Sequence, residues 1–340
     1  MSLIRPRQFK RKFLAAVCMV LLGCSSVAQA QSKVVLKMTD AGVTKTQNIQ
    51  SLFYMAKKVT ELSNGTLEVQ VFPDGSLFDQ NAGQDAVSSG AVEMAGSNSG
   101  FWSDKVPAMS IFMADYVVRD SDHLATVWDG QVGEKINQEL IKKTNVRVFG
   151  SWTFGTRTLA TREIGRKIMK PADLKGVTLR EPNFPSWIAV GEAIGARVVP
   201  VPYSELYLAL QTGVVDAHDF PLLAGNQLGL YDSMKQVSQT RHLTVDHLNV
   251  INEKVWQSLS ASHKKVLVDA SKLTRKYNDE IIRQGDIDTV KLLQKKGIAV
   301  YDPDVAAFAE HAKNYYKSRK DISGNWIPGM LEEIQALYKK

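Results

Sequence analysis

Cysteine is nearly missing from this chain. There are two, Cys18 and Cys24, and both fall within the first 30 residues. Past that point there is no thiol nucleophile, no disulfide and no cysteine-held metal. Histidine is also sparse: six residues, at positions 123, 218, 242, 247, 263 and 311. His242 and His247 flank Asp246. A spacing of five, in a segment that reads as strand, does not bring two ligands onto one helix face. Neither the dinucleotide-binding Gly-x-Gly-x-x-Gly nor the phosphate-cradling Gly-x4-Gly-Lys-Ser/Thr occurs. The run Gly96-Ser97-Asn98-Ser99-Gly100 has the glycine frame of a nucleophile elbow, but Asn98 stands where serine is required. No nucleophile–base pair is visible, so catalysis, a cofactor and a metal are not expected.

Long apolar runs are missing too. The best, residues 13–22, is about half the length needed to span a bilayer. It follows Arg5, Arg7, Lys10, Arg11 and Lys12 and precedes Ala28-Gln29-Ala30, whose small residues suit positions −3 and −1 of a cleavage site. Residues 1–30 therefore read as a secretory signal, and the mature chain from Gln31 as a soluble periplasmic protein. Leu21-Leu22-Gly23-Cys24-Ser25-Ser26 also resembles a lipobox, which would make Cys24 a lipidated first residue, but Leu22 is not the small residue usual before Gly-Cys. The five basic signal residues carry most of the net charge of +7. The remaining +2 is no footprint for a polyanion, which excludes nucleic acid as a partner.

What is present is an ordinary globular composition, 44% apolar and 23% charged over 340 residues, enough for two domains. Strand and helix patterns alternate. A strand over 33–38 leads to a helix over 49–63, with Asn48 as its cap. A strand over 67–71, a helix near 80–88 and a short strand at 91–95 follow, and then a polar loop at 97–100 that holds Asn98. A helix over 122–143 and a strand over 146–152 lead toward Arg157. Residues 171–231 read as a βαβαβ run, with strands at 177–179, 196–201 and 214–217. Helices fill the gaps, the second capped by Ser204 and ended by Gly213. A strand at 243–251 precedes a pattern over 260–296 that fits one long helix or two broken at Gly285. Helices at 305–319 and 327–338 close the chain. In open α/β sheets ligands sit beyond the carboxyl ends of strands. Arg180 and His218 both fall there.

The central run carries two spaced motifs: Asp173-Leu174-Lys175-Gly176…Arg180…Pro182, then Tyr203-Ser204-Glu205…Leu210-Gln211…Gly213…Val215-Asp216…Pro221. With Arg157 twenty-three residues before Arg180, it resembles the extracytoplasmic solute-binding subunits of tripartite ATP-independent periplasmic (TRAP) transporters. The resemblance implies an α/β fold like the type II periplasmic binding proteins: two α/β lobes, a ligand cleft between them and a long bracing helix. Lobe I would comprise 31–154 and 243–284, lobe II 155–242 and 285–340. It implies a monomeric carrier, not an enzyme, that captures an organic acid anion and delivers it to a TRAP-type membrane permease. Two rivals are a binding subunit of an ATP-driven importer, which shares the lobes, and a periplasmic enzyme built on them.

The resemblance also assigns residues. Arg180 would hold the carboxylate, its planar fork matching two oxygens; an internal salt bridge to Glu181 is its structural alternative. Arg157 would be a second basic contact, or a structural one. Asn183 is a polar contact or a turn residue. At 217–220 the chain reads Ala217-His218-Asp219-Phe220 where the family often has Gly-Gln-Glu-Asn. Phe220 thus replaces a polar contact, and with Trp187 and Tyr203 would give the pocket an aromatic side. His218 would supply the lost polar group, and Asn98 a contact from the first lobe.

Overall fold

A computed structural model describes residues 33–338. The signal segment 1–30, with Cys18 and Cys24, lies outside the described residues. The described chain builds a two-lobed α/β fold around two sheets.

The first sheet contains β1 (Val34–Thr39), β2 (Leu67–Phe72), β3 (Met94–Ser97), β4 (Val146–Thr156) and β10 (Thr244–Asn252), in the order β2-β1-β3-β10-β4. β1 runs parallel to β2 and β3, whereas β10 inserts antiparallel between β3 and β4. All nine residues of β10 are buried, as a central strand covered on both faces requires. The second sheet contains β5 (Leu159–Thr161), β6 (Thr178–Glu181), β7 (Arg197–Pro200), β8 (Ala217–His218), β9 (Gln236–Ser238) and β11 (Ala299–Tyr301), in the order β11-β9-β5-β8-β6-β7. The expected βαβαβ run is its β6, β7 and β8, parallel about β6.

The chain passes between the sheets three times: from β4 into β5, from β9 back into β10, and along the helix Ala261–Lys295. That helix is single and spans 35 residues, about 52 Å. Ser260 caps it by accepting from the His263 N–H. It runs unbroken through Gly285, over which Leu223 packs. Its first half packs on the helix Gln47–Leu62 and on β4, its second half on the helix Leu222–Leu228 and β11. Asn278, fully buried, ties three pieces together: its Oδ1 accepts from Ser51 and its Nδ2 donates to the Thr153 carbonyl.

The structure departs from the sequence expectations at several points. The helix expected over 122–143 is two, Ser121–Asp129 and Gln131–Thr144, parted at the extended Gly130. Thr46, not Asn48, occupies the cap position of the helix Gln47–Leu62; Asn48 instead accepts from the indole N–H of Trp152. Ser204 lies inside the short 3-10 turn Tyr203–Glu205, and the helix Leu206–Thr212 begins beyond it. Residues 285–340 do not stay with the second sheet. Phe308 packs there, but Tyr316, Met330 and Ile334 join Ile136 and Leu140 in the core beside the first sheet. Lys135–Glu333 and His123–Ile334 contacts hold that return. The reason is the apolar face of the helix Met330–Ala336, which finds its complement on the helix Gln131–Thr144.

β4 and the long helix approach closely at Gly150, where a Cβ would lie 2.0 Å from Ser271 Oγ and 2.5 Å from Ser271 Cβ. Gly150→Ala should therefore lower unfolding stability by about 1–3 kcal/mol in urea titrations. An unchanged midpoint would contradict this packing.

Candidate functional site

Between the two sheets lies a cleft with about 110 Å³ of room for the centres of water-sized groups. Its floor on the second sheet is built from strand ends. Leu179 packs inward, so strand alternation turns Arg180 to the other side of the sheet, into the cleft. Pro182 follows at the strand end, and Pro185 sits at the first turn of the helix Pro185–Ala193, setting Trp187 beside the same cleft.

Arg180 is 2% exposed. Its Nε and one terminal nitrogen donate to the Val201 carbonyl at 2.9 and 2.7 Å. The other terminal nitrogen has no hydrogen-bond partner among the described residues. Burial pulls the guanidinium down to about 10, with Glu181 opposing and Arg157 reinforcing the shift, so it stays charged at neutral pH. Arg157, just past β4, is equally buried. Its Nε donates to the Asp219 carbonyl at 2.5 Å and lies 2.9 Å from Asp219 Oδ2. Its guanidinium also lies over the rings of Trp187 and Phe220, at 4.5 and 5.0 Å.

Behind the arginines the acids divide. Burial raises the Asp219 carboxyl, but Arg157 and the hydrogen-bonded His242 outweigh it and hold Asp219 below the usual range. Burial, and then the charge of Asp219, keep Glu181 well above its ordinary value. Both Glu181 oxygens are buried and no N–H or hydroxyl donates to them; its carboxyl hydrogen-bonds Asp219, and the nearest cation, Arg157, is 4.0 Å away. Glu181 is thus not the salt-bridge partner of Arg180. Two guanidinium groups share this buried place with Asp219 as their main opposing charge, because burial and Asp219 disfavour the charge on Glu181.

The first sheet supplies the facing wall. Asp40 continues from the end of β1, and its Oδ1 accepts from the Gly42 N–H at 2.6 Å. Burial lifts it to about 6, against that hydrogen bond. Burial also raises Asp246 to about 6; it is held by Ser99 and the Trp128 indole. His247 stacks on Trp152 at 4.7 Å, and burial pushes it down to about 3, so it is neutral.

Of the residues singled out on sequence, Arg180, Arg157, Trp187, Tyr203, Phe220 and Asn98 line this cleft. The aromatic three do stand together: Tyr203 and Phe220 are 6.4 Å apart, and Phe220 and Trp187 both meet Arg157. Asn98 lines it while capping the helix Ser99–Trp102, its Oδ1 accepting from the Phe101 N–H. Two do not line it. Asn183 is exposed beside the cleft's rim of prolines. His218 is fully buried behind it, where its Nδ1 accepts from the Phe220 N–H and its ring packs against Tyr231. Sequence reasoning missed Asp40, Asn48, Trp102 and His247. Asp40 had a signal, since it ends a parallel strand as Arg180 does.

Among the described residues no group of three or more histidines, acids or cysteines could hold a metal ion, and no helix is long and apolar enough to cross a membrane.

The family model for bacterial extracellular solute-binding protein family 7 matches residues 40–321. The sialic acid-binding periplasmic protein SiaP of Vibrio cholerae is 26% identical over 320 residues, covering 94% of this chain and 99% of that protein. The 2,3-diketo-L-gulonate-binding periplasmic protein YiaO of Escherichia coli is 27% identical over 299 residues, 86% of this chain and 90% of that one. The crystal structure of a TRAP periplasmic solute binding protein from Roseobacter denitrificans, with bound 3-deoxy-D-manno-oct-2-ulosonic acid, is similar at a TM-score of 0.85. The two chains are 27% identical, and the match covers 90% of this chain and 100% of that one.

His218 titrates in this structure only near 3, because burial is the largest influence on it, with Asp219 opposing and Arg157 and Arg180 reinforcing the shift. The unfolded chain takes up that proton near pH 6.5, the folded chain does not. Stability from His218 is therefore complete above pH 6.5 and falls as pH drops from there toward 3, by up to about 2 kcal/mol at pH 5. His218→Gln should flatten this acid-side loss in thermal melts between pH 7 and 5 while leaving acid binding within about threefold. An unchanged pH slope would contradict the buried neutral ring.

Proposed function

The chain belongs to family 7 of the bacterial extracellular solute-binding proteins, and on that premise we propose that it captures an organic acid anion in the periplasm and hands it to a TRAP-type permease. The observation that carries the reading is the surplus positive charge at Arg180, presented by a buried strand end into a cleft. A carboxylate there gains charge-assisted hydrogen bonds in a place shielded from water, each contributing about 1.5–3 kcal/mol. The relatives support it: those named above are described as binding sialic acid, 2,3-diketo-L-gulonate and 3-deoxy-D-manno-oct-2-ulosonic acid. All three are carboxylic acids.

The three passages of chain between the sheets suit a carrier that closes on its cargo, since a few residues at β4–β5 and β9–β10 can absorb a hinge rotation while the long helix braces both sides. Such a protein binds and releases its acid unchanged. The permease partner is proposed on family grounds: uptake into membrane vesicles holding the permease should run on a sodium gradient without ATP.

Arg180→Lys tests the binding role. Lysine keeps the charge and loses the fork. Affinity for the acid that best raises the melting temperature should drop at least about tenfold by calorimetry. Near-native affinity in a folded variant would reduce Arg180 to general electrostatics, and unchanged affinity in Arg180→Ala as well would overturn the carboxylate reading.

A further inference from the structure

Among the described residues five besides glycine hold a left-handed backbone: Asn64, Asp74, Asn145, Tyr116 and Arg241. The first three are of the types that tolerate it in turns. The other two are bulky, and they meet. Tyr116, at φ 63°, donates its backbone N–H to the His242 carbonyl at 2.7 Å and its phenol to the Thr240 carbonyl at 3.0 Å. Its two donors thus hold the carbonyls on either side of Arg241, itself at φ 47°. Bulky residues stay in this conformation only where their surroundings over-determine it. The place is the passage from β9 back into β10. Tyr116 comes off the 3-10 helix Pro107–Met113, yet its side chain packs on two cores, that of Phe112 and Trp128 beside the first sheet and that of Leu174 and Leu179 under the second. The side chain that spans the two cores also grips the chain that passes between them.

From this passage two lines of contact run to Arg157. The Leu243 carbonyl accepts from the Arg157 N–H at 2.8 Å, which ties the passage to the other one, from β4 into β5. The His242 ring, whose Nδ1 lies 2.7 Å from the Thr240 hydroxyl, meets Asp219 Oδ2 at 3.0 Å, and Asp219 in turn holds the Arg157 guanidinium. Backbone and side chain of Arg157 are therefore both placed from residues 240–243. A shift of that stretch moves Arg157.

We propose that Tyr116 is a positioning residue for acid binding: by gripping the Thr240 and His242 carbonyls it clamps the passage from β9 into β10, and so holds Arg157 in its place at the cleft. Tyr116 does not line the cleft. It acts only through residues 240–243. The proposal rests on the reading of this chain as an organic-acid carrier.

Backbone hydrogen exchange tests the clamp with no acid present, and calorimetry with N-acetylneuraminate and 3-deoxy-D-manno-oct-2-ulosonate tests its effect on binding. Tyr116→Phe keeps the ring and the backbone bond and drops the phenol bond. It should speed exchange of the Tyr116-position and Arg157 amides at least about fivefold, while the Met55 amide in the helix Gln47–Leu62 stays within about twofold. It should weaken whichever of the two acids the parent protein binds by at least about threefold. Arg241→Asn puts a residue at ease in the left-handed conformation at the same turn, and the exposed Arg241–Asp302 pair it gives up is worth little. It should slow the Arg157 amide by about twofold or more, and it decides the matter if Tyr116→Phe does not fold. Unchanged exchange at Arg157 in Tyr116→Phe, an equal rise at Met55, or faster exchange at Arg157 in Arg241→Asn would each overturn the clamp and leave the carrier reading standing. Local loosening with unchanged affinity for an acid the parent binds would overturn it as well. Where the parent binds neither acid, the exchange ratios decide alone. An acid held as well by Arg180→Ala would sink the carrier reading and leave the exchange ratios as they are.

Discussion

A buried guanidinium with more charge around it than its protein neighbours cancel is the constraint on which this structure turns. Arg180 and Arg157 lie within one desolvated cluster, and Asp219 is their main opposing charge, because burial beside Asp219 disfavours ionisation of Glu181. A charge in such a place is expensive unless it is paired. The protein moderates the cost with neutral groups: the Val201 carbonyl for Arg180, and the faces of Trp187 and Phe220 for Arg157. None of these supplies a negative charge. The cluster is therefore poised to gain most from a ligand that brings one, and the aromatic walls that exclude water strengthen that gain.

The second sheet holds that charge at its edge, and the first sheet faces it across the cleft. The connection between them is sparse: two short strand-to-strand passages and one helix of about 52 Å. Separate cores sit on the two sheets, Leu52, Met55 and Leu267 on one side and Leu210, Tyr231 and Val237 on the other, and a smaller cluster of Met113, Trp187, Val190, Leu243 and Val245 packs between them beside the cleft. Polar and aromatic side chains make up much of the cleft lining. The C-terminal return, with Ile334 packed on Ile136, adds a further tie to the first sheet's side.

Much of this was legible in the sequence, and the part that was not has a physical pattern. Elements with a clean period were found where they were expected: β1, β2, the helix Gln47–Leu62, the long helix and the β6–β7 pair. Arg180 was legible partly from its strand-end position in an α/β sheet, where ligands bind, and chiefly from the spaced motif it shares with the solute-binding family. The facing wall was not, because Asp40 and His247 are two hundred residues apart and meet only through the pairing of β1 with β3 and β3 with β10. Nothing local announces that β10 inserts antiparallel into a parallel sheet. Glu181 read as a partner for Arg180 by adjacency, yet successive strand residues point to opposite faces, so neighbours in sequence are kept apart. His218 read as a cleft residue from its strand-end position; the two-residue strand β8 buries it behind Phe220 instead. Asn48 shows the same lesson from the other side, a residue with the chemistry of a cap that long-range packing uses to hold Trp152.

The central claim is that the unpaired end of Arg180 receives the carboxylate of the bound acid. A crystal structure of the protein with its acid tests this most directly. The account predicts carboxylate oxygens within about 3 Å of the Arg180 terminal nitrogens. A carboxylate seated elsewhere in the cleft, with Arg180 still bonded to the Val201 carbonyl alone, would contradict it.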